Sequence, residues 1–549
     1  MTGRRLAAIA TVLVLGLTAA TAEAKKPATE PPSRVMIVVI DQFRPDYVKR
    51  FNMANVRALM HGGVNFDRAI LGHMAAETVI THNVLTSGKL PKNQGWVNEV
   101  FRDVDGVLGP PGSYQVTSSL GCGQFDTLLK AQGYPKLDDQ LGGRFISVGQ
   151  KPTAACPAGH PADADDIIVH IGSRNADCDP GTSSSTNYRS PAGFNVPSYI
   201  SSPLCGRYYV KVRGDAGDTT DWTYGTGTTS PAWMYPLDGN RFAVGTDPAH
   251  LGGDVWTADA AIQMMQNESD WRGMMVTLGS VDKAAHMWGT DDDGPSGIGN
   301  DTFEQAHLPF AARTADQQVG RLLAALDAQG IRDETLVVLT TDHAGQTAHR
   351  YHGQDGPDRG NFNWYYGADS DETYKQPQPA LAPLVATDNL DFSYQDGHIA
   401  AWLHDRTAAD LNEAAAAIRS MPDVIASYVR DGDRYERVGP TGQMSGRERS
   451  WWVRWGQELI DTMAAPSGPD VVGLLRDDVS YGVAGDHGGH QREIQEIPMA
   501  FSWPGLKPQE RQEHIRAVDV VPTVLRLMDI DPVAGTDFDG TAYRLKTRR

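Results

Sequence analysis

An unbroken apolar run in the middle of the chain ends in an aspartate and a histidine. Residues 336–340 read LVVLT, and Asp342 and His343 follow shortly before a glycine. A run of this kind, bounded by turn residues, is typical of a strand buried on both faces of a parallel sheet. Ligands of open α/β sheets bind at the carboxyl ends of such strands. Because carboxylate and imidazole groups are zinc ligands, we predict a metal site where this strand ends.

The same residue types recur after other apolar segments. The spacing between Asp282 and His286 places both side chains on one face of a helical turn, within reach of one ion. An acid after a strand can also cap the next helix, and this alternative applies to Asp41. The further candidates are Asp41 after RVMIVVI, Asp282 with His286 after MMVTLGSV, and His487 in the turn AGDHGGH, where His490 is the alternative.

Thr78 is the candidate nucleophile. It opens the helical stretch TVITHNVLTS, where unpaired backbone N–H groups favour an anion. A threonine at this point can also act only as the N-cap of the helix. Besides this hydroxyl, the candidates supply three carboxylates and three imidazoles, which is what two zinc ions require if each keeps room for a substrate.

The order of the predicted elements indicates an α/β fold. Apolar strands alternate with amphipathic helices in residues 255–345, and this rhythm predicts βαβ units in a mostly parallel sheet flanked by helices. Residues 390–440 follow a β-α-β-β order instead, which predicts a small inserted α+β cap. We therefore divide the chain into a core at 34–345 and 470–545, a loop-rich elaboration of that core at 103–250, and the cap at 346–469.

The amino terminus has the pattern of a cleavable export signal. Arginines precede an apolar run from Leu6 to Ala22, and an Ala-Glu-Ala motif ends at residue 24. We predict that residues 1–24 are removed and that the protein is periplasmic or secreted, with no stable membrane insertion afterwards. A retained membrane anchor is the alternative.

The net charge of −19 at pH 7 constrains the partners of the protein. Such an acidic surface disfavours nucleic-acid duplexes, because their phosphates would be repelled. An anionic substrate must then be attracted by a local positive centre, and bound metal is the obvious candidate for that centre.

The four cysteines form no C-x-x-C motif, which argues against a cysteine zinc knuckle. An even number in an exported chain permits disulfides, and the pairing stays open. Free buried thiols are the alternative. The four are Cys122, Cys156, Cys178 and Cys205.

Five segments carry the candidate residues of the site: VVIDQFRPD, ETVITHNVLTSGKLPKNQGW, GSVDKAAHMWG, LTTDHAGQ and AGDHGGH. They resemble the alkaline phosphatase superfamily, and within it the type I phosphodiesterase/nucleotide pyrophosphatase branch. The resemblance implies an alkaline phosphatase-like core with two Zn2+, for which manganese or iron are the alternatives. It also implies two ligand sets, namely Asp282, His286 and His487 for one ion, and Asp41, Asp342, His343 and the Thr78 hydroxyl for the other.

The resemblance implies a phosphoric ester hydrolase in which Thr78 attacks phosphorus and forms a phospho-threonine. Two zinc ions against three carboxylates and one alkoxide leave the site near neutral, which suits a monoanionic diester. We therefore expect hydrolysis of phosphodiester or nucleotide pyrophosphate bonds in a small phosphorylated substrate, with phosphomonoesterase (alkaline phosphatase) activity as the alternative. A sulfatase is less favoured because Thr78 lacks a C/S-x-P-x-R setting, and a non-catalytic, metal-loaded binding protein is less favoured because Thr78 is present.

The sequence indicates the substrate-binding residues less clearly than the metal ligands. The resemblance places a phosphate-binding asparagine at position 99, where the chain has Glu99 directly after Asn98. We predict that Asn98 takes this part, since an ionised Glu99 would repel a phosphate. Lys151, in the segment SVGQKPTAA, is the cation that we assign to the substrate phosphate, and a solvated loop lysine is the alternative.

Overall fold

The structure is a computed structural model, and it describes residues 30–160, 163, 165–171, 191–200, 210–211, 223–224, 253–288, 290, 301–352, 378–482 and 485–548. The predicted export signal at 1–24 lies outside these residues, as do Cys178 and Cys205. No helix within the described ranges has the length and apolar character needed to cross a bilayer.

Strands and helices alternate along much of the chain. The strands are β1 (Arg34–Ile40), β2 (Val64–Phe66), β3 (Val100–Asp103), β4 (Ser113–Val116), β5 (Arg144–Gly149), β6 (Ile167–Ile171), β7 (Pro191–Phe194), β8 (Val210–Lys211), β9 (Thr223–Tyr224), β10 (Trp271–Leu278), β11 (Thr335–Thr340), β12 (Gln346–Thr347), β13 (Arg350–Tyr351), β14 (Leu390–Gln395), β15 (His398–Leu403), β16 (Val424–Asp431), β17 (Arg434–Val438), β18 (Val471–Leu475), β19 (Val479–Ser480), β20 (Gly485–Asp486), β21 (Ala500–Ser502) and β22 (Gln509–Arg511). The α-helices are α1 (Tyr47–Arg50), α2 (Ala54–Gly62), α3 (Thr78–Ser87), α4 (Cys122–Gln132), α5 (Leu137–Leu141), α6 (Pro152–Ala155), α7 (Gly253–Asn267), α8 (Ser280–Trp288), α9 (Asp301–Ala328), α10 (Ala382–Ala386), α11 (Ala408–Arg419), α12 (Gly446–Ile460), α13 (Arg492–Gln495) and α14 (Val520–Met528).

A nine-stranded sheet lies at the centre of the fold, in the order β22-β2-β21-β11-β1-β10-β5-β6-β7. β1 pairs in parallel with β10 on one side and with β11 on the other, and the parallel run continues through β5 to β6. Antiparallel pairs occur where β21 joins β11 and where β7 joins β6. Helices flank the sheet, so the predicted α/β fold with a mostly parallel sheet is confirmed.

Alternate residues of β1 pack on opposite faces of this sheet. Val35 and Ile37 join one apolar cluster with residues of α3 and α14. Met36 and Val38 join another cluster with residues of α7 and α9. Burial on both faces explains the unbroken apolar run that predicts this strand.

The carboxyl ends of the central strands meet at one edge of the sheet. In register, Val38 of β1 lies beside Val276 of β10 and Leu339 of β11. The chain leaves β1 at Asp41, whose backbone N–H donates to the carbonyl oxygen of Leu278 at 2.9 Å. Residues that follow these three strands are therefore held close together.

The region predicted as a loop-rich elaboration, residues 103–250, contributes strands to the central sheet. β5 pairs in parallel with β10, and β6 and β7 extend the sheet beyond β5. The sequence of β5, RFISVG, is apolar enough to be buried there. The strand is short and polar turns surround it, so its periodicity alone does not reveal it.

Strands β14 to β18 form a second, antiparallel sheet in the order β14-β15-β18-β16-β17. Helix α11 packs on it through residues such as Ile418. The predicted β-α-β-β order is wrong in one respect, because residues 390–403 form a hairpin of two strands around Asp396 and Gly397. Asp-Gly between alternating apolar residues is a hairpin signal, and the prediction of a single strand does not take it into account.

The division into a core and a cap at 346–469 remains a proposal. β18 begins after the predicted boundary at 470, yet it pairs with β15 and β16 of the antiparallel sheet. The second sheet is therefore built from chain on both sides of that boundary.

Cys122 and Cys156 form a disulfide. Cys122 begins α4, and Cys156 follows α6 shortly after Lys151. The prediction of disulfides is confirmed for this pair, and the bond ties the segment that carries Lys151 to a helix of the core.

Replacing both Cys122 and Cys156 by serine should lower the free energy of unfolding by about 3–4 kcal/mol, because the bond closes a sequence separation of 34. Urea unfolding of the oxidised proteins measures this difference. Alkylation of the denatured, unreduced wild type should leave both residues unmodified, and alkylation after reduction is the control. A double variant as stable as the wild type would contradict the expectation.

Candidate active site

The structure brings together residues predicted from separate strand ends. Each side chain is at most 8 % exposed. Lys151 joins them from the end of β5, the strand beside β10. The residues are Asp41 after β1, Thr78 at the start of α3, Asp282 and His286 in α8, Asp342 and His343 after β11, and His487 after β20.

One group of metal-binding donors consists of Asp282, His286 and His487. Asp282 Oδ1 lies 2.9 Å from His286 Nε2, one turn further along α8. His286 Nε2 lies 3.2 Å from His487 Nε2. Donor atoms of the three residues lie within 4.8 Å of one another, close enough to share one ion.

A second group consists of Asp41, Asp282 and His343. His343 Nε2 lies 3.5 Å from Asp41 Oδ1 and 3.8 Å from Asp342 Oδ2. Asp342 is fully buried, and its Oδ2 atom accepts no hydrogen bond from the described part of the chain. Asp282 belongs to both groups, whereas the resemblance assigns it to one ion only.

Thr78 lies between the second group and Lys151. Its Oγ1 atom is 3.4 Å from His343 Nε2 and 3.3 Å from Lys151 Nζ. Thr78 is the first residue of α3, where backbone N–H groups have no partner within the helix. The helix terminus therefore favours negative charge beside this hydroxyl.

Lys151 contacts two of the carboxylates as well as the hydroxyl. Its Nζ atom lies 2.8 Å from Asp41 Oδ2 and 2.8 Å from Asp282 Oδ2. Burial alone would lower the pKa of Lys151, but the charges of Asp282 and Asp41 raise it above the usual value. Lys151 is thus a cation held against the site, and the alternative of a solvated loop lysine does not describe it.

The pKa values of the site residues reflect how closely the buried ionisable groups are packed. Burial raises the pKa of Asp41, and the charges of Asp282 and Asp342 raise it further. Burial lowers the pKa of His343, and the charge of His487 adds to this effect. A neutral imidazole offers the lone pair that binds a metal, and crowded carboxylates are stabilised by a divalent cation. The donor set of nitrogen and carboxylate oxygen fits ions of the zinc type.

Asn98 and Glu99 lie in different surroundings. The Asn98 amide donates to His398 Nε2 at 3.1 Å, and Asn98 Oδ1 accepts from the N–H of Glu99 at 2.8 Å. Both polar atoms of Asn98 are thereby engaged beside the second sheet, and its assignment to the substrate stays a prediction. Glu99 Oε2 accepts a hydrogen bond from Tyr394 at 2.9 Å, and burial together with the charge of Asp396 raises the pKa of Glu99.

His490, the alternative to His487, belongs to neither of these two donor groups. Its carbonyl oxygen accepts a hydrogen bond from Trp451 Nε1 at 2.6 Å. Burial lowers the pKa of His490 to about 4, so its side chain is a neutral, buried imidazole. Of the two histidines in this turn, His487 is the one that meets His286.

Sequence reasoning misses two residues of the site. Glu77 Oε2 lies 3.1 Å from His487 Nδ1. His82 Nδ1 is hydrogen-bonded to the carbonyl oxygen of Thr78 at 2.7 Å, and His82 Nε2 to Thr277 Oγ1 at 2.8 Å. The signal that could have found them is their position in the sequence, directly before Thr78 and one helical turn after it.

Comparison with known proteins identifies related sequences and folds. The sequence model of the family described as type I phosphodiesterase / nucleotide pyrophosphatase matches residues 35–360. Wild-type alkaline phosphatase PafA is 15% identical with a TM-score of 0.59, over 93% of this chain and 99% of its own. Murine ectonucleotide pyrophosphatase / phosphodiesterase 5 is 11% identical with a TM-score of 0.50, over 92% of this chain and 97% of its own. These two likenesses show an alkaline phosphatase-like fold. No curated relative matches the chain by sequence.

Substitutions of Asp282 and His286 should remove different amounts of bound metal, because Asp282 belongs to both donor groups and His286 to one. Asp282→Asn should lower the bound divalent metal by more than about one ion per chain, because Asp282 belongs to both groups, whereas His286→Asn should lower it by about one. Mass spectrometry of metals in protein purified without added metal measures this. Asp316→Asn, a buried acid that accepts from the N–H of Val56 at 2.9 Å, is the control. Full metal content in Asp282→Asn would contradict the shared position.

Proposed function

The chain belongs to the type I phosphodiesterase/nucleotide pyrophosphatase family, and from this premise we propose a metal-dependent reaction that proceeds through Thr78. Membership makes the protein a phosphoric ester hydrolase. We propose further that Thr78 is the nucleophile and that two Zn2+ are its cofactors. The proposed metal ligands are Asp41, Thr78, Asp282, His286, Asp342, His343 and His487.

The position of the Thr78 hydroxyl is the observation that supports this proposal most. Oγ1 lies 3.4 Å from His343 Nε2 and 3.3 Å from Lys151 Nζ, at a helix N-terminus. A threonine hydroxyl is a weak nucleophile at neutral pH and must be activated. Both Lys151 and the N–H groups of α3 stabilise negative charge on this oxygen.

The groups around Thr78 have distinct roles in the proposed site. Two divalent ions, when bound, would supply Lewis acidity to the attacking and leaving oxygens. Glu77 orients the His487 ring through Nδ1, which leaves Nε2 directed at His286. His82 holds the carbonyl group of Thr78 and thereby fixes the first turn of α3.

In the proposed reaction, Thr78 Oγ1 gives up its proton and forms a bond to phosphorus while the bond from phosphorus to the leaving oxygen breaks. The leaving group takes up a proton and departs, and a phospho-threonine remains. Water then gives up a proton and bonds to phosphorus, the bond from phosphorus to Thr78 breaks, and the threonine oxygen takes up a proton. Lys151 Nζ, beside Thr78 Oγ1, stabilises the negative charge of the transferred group.

We propose that the substrate is small and carries a phosphodiester or nucleotide pyrophosphate bond, which is the class that names the family. Phosphomonoesterase activity is the second candidate, and the contacts of Lys151 favour it. Two zinc ions balance three carboxylates and an alkoxide, so Lys151 adds a net positive charge that suits a dianionic monoester.

Export remains part of the proposal. The arginines, the apolar run and the Ala-Glu-Ala motif within residues 1–24 support a cleaved signal. The disulfide between Cys122 and Cys156 suits an oxidising compartment such as the periplasm or the exterior of the cell.

Thr78→Ala should lower kcat by about 10⁴-fold or more, because it removes the proposed nucleophile, and it should leave most of the bound metal in place. Hydrolysis of bis-p-nitrophenyl phosphate and p-nitrophenyl phosphate measures the loss. Thr86→Ala is the matched control, since Thr86 lies in the same helix and its hydroxyl donates to the His82 carbonyl. An active Thr78→Ala variant would rule out Thr78 as the nucleophile.

Lys151→Gln should separate the two candidate substrate classes. We expect kcat/KM for p-nitrophenyl phosphate to fall by about 10²-fold and that for bis-p-nitrophenyl phosphate by less than about 10-fold, because the dianion depends more on the added charge. Lys130→Gln is the control, since the Lys130 side chain is about half exposed. An equal loss for both esters would show that Lys151 does not discriminate between them.

A further inference from the structure

Four carboxylates gather around the Nδ1 side of His487, and we call them the His487 carboxylate cluster. Glu77, Asp396 and His487 have ligand atoms within 4.8 Å of one another. Tyr394 OH donates to Glu99 Oε2 at 2.9 Å and lies 3.2 Å from Asp396 Oδ2, which places Glu99 in the same group. Asp486 also hydrogen-bonds Asp396, a contact between two carboxyl groups that requires one of them to carry a proton. The members are Glu77, Glu99, Asp396 and Asp486.

The carboxyl groups of this cluster contact one another rather than a described lysine or arginine side chain. Within the described part of the chain, no lysine or arginine forms an ion pair with any of the four carboxylates. The His487 ring, whose Nδ1 lies 3.1 Å from Glu77 Oε2, would be neutral as a zinc ligand. Glu77, Asp396 and Asp486 are at most 7 % exposed, whereas Glu99 is partly exposed. Buried carboxyl groups in contact with one another are costly unless they share protons or bind a cation.

Two buried oxygens of the cluster meet no donor group in the described part of the chain, and the carboxyl group that their residues contact is Asp396. Glu77 Oε1 and Asp486 Oδ2 accept no hydrogen bond from described residues, although both side chains are buried. The backbone also comes close at Gly488, where an added Cβ would meet Glu77 Oε1 and Asp396 Oδ2. A glycine is required there, since φ is +77° and the carboxylate oxygens occupy the space of a side chain.

We propose that the His487 carboxylate cluster binds one hard divalent cation, Ca2+ or Mg2+, through carboxylate oxygens. The donors that converge here are oxygens, which hard cations prefer, whereas the site around Thr78 combines oxygen with imidazole nitrogen. The partly exposed Glu99 provides a path for the cation to enter.

A cation at this position would act on the site through Glu77. Its Oε1 atom would face the cation while Oε2 stays 3.1 Å from His487 Nδ1, so the bound ion would hold Glu77 and, through it, the His487 ring. The ion would also join three parts of the fold, because Glu77 precedes α3, Asp396 lies in the β14–β15 turn and Asp486 belongs to β20. It would thus fix the second sheet to the core next to the reaction site.

The experiment uses the full zinc-loaded protein, titrated with CaCl2 or MgCl2 at constant ionic strength. Calorimetric titration should show about one ion per chain, and saturation should raise Tm by a few degrees. Asp396→Asn should weaken the affinity by at least about 10-fold and remove the shift. Asp431→Asn, an exposed acid of the same sheet, is the matched control and should behave as the wild type. If Asp396→Asn fails to fold, Glu99→Gln serves, since its side chain is partly exposed.

The experiment distinguishes a failure of the proposed cation site from a failure of the proposed reaction. The inactive Thr78→Ala variant should bind the hard cation as the wild type does, so a wrong nucleophile would leave the result intact. Zinc content should stay constant during the titration. The proposal is overturned if neither cation binds or raises Tm, which would mean that shared protons hold the carboxylates together. It is equally overturned if Asp396→Asn keeps the wild-type affinity, or if zinc is displaced.

Discussion

The burial of carboxylates against one another is the constraint on which the rest of this structure depends. Asp41, Asp282 and Asp342 are fully buried, and Lys151 contacts the first two of them. Moving a charge from water into protein is costly unless an opposite charge lies close by. The parallel register of the central strands forces these acids to one edge, so the fold itself creates the demand for cations around Thr78.

The part of the site that lies on the central strands could be predicted from the sequence. β1 and β11 are buried on both faces, and such burial produces an unbroken apolar run. This run can be recognised from the local sequence alone. Their ends are therefore visible in the sequence, and Asp41 and Asp342 follow them closely. Asp282 and His286 could be paired for a similar reason, since helical spacing is a local property.

The remainder depends on contacts between distant segments, which periodicity does not record. Lys151 reaches Asp282 because β5 joins β10, and β5 comes from a region whose polar turns obscure its strands. Glu77 contacts His487, which lies far away along the chain, so no local sequence pattern indicates this contact. The assignment of Asn98 rests on its distance from Thr78 along the chain, yet its amide is engaged by His398. Spacing along the chain therefore gives the order of such residues but does not determine which groups their side chains contact.

In the proposed reaction, Lys151 and Glu99 would act in opposite directions on a phosphate held at Thr78. Lys151 places positive charge beside the hydroxyl, whereas an ionised Glu99 would repel a dianion. Burial and the charge of Asp396 raise the pKa of Glu99, and the charge of Lys151 partly opposes this. A cation in the His487 carboxylate cluster would offset the charge of Glu99 and leave Lys151 dominant. In the proposed site, the choice between diester and monoester would thus depend on the charge state of this cluster as well as on the metal ligands.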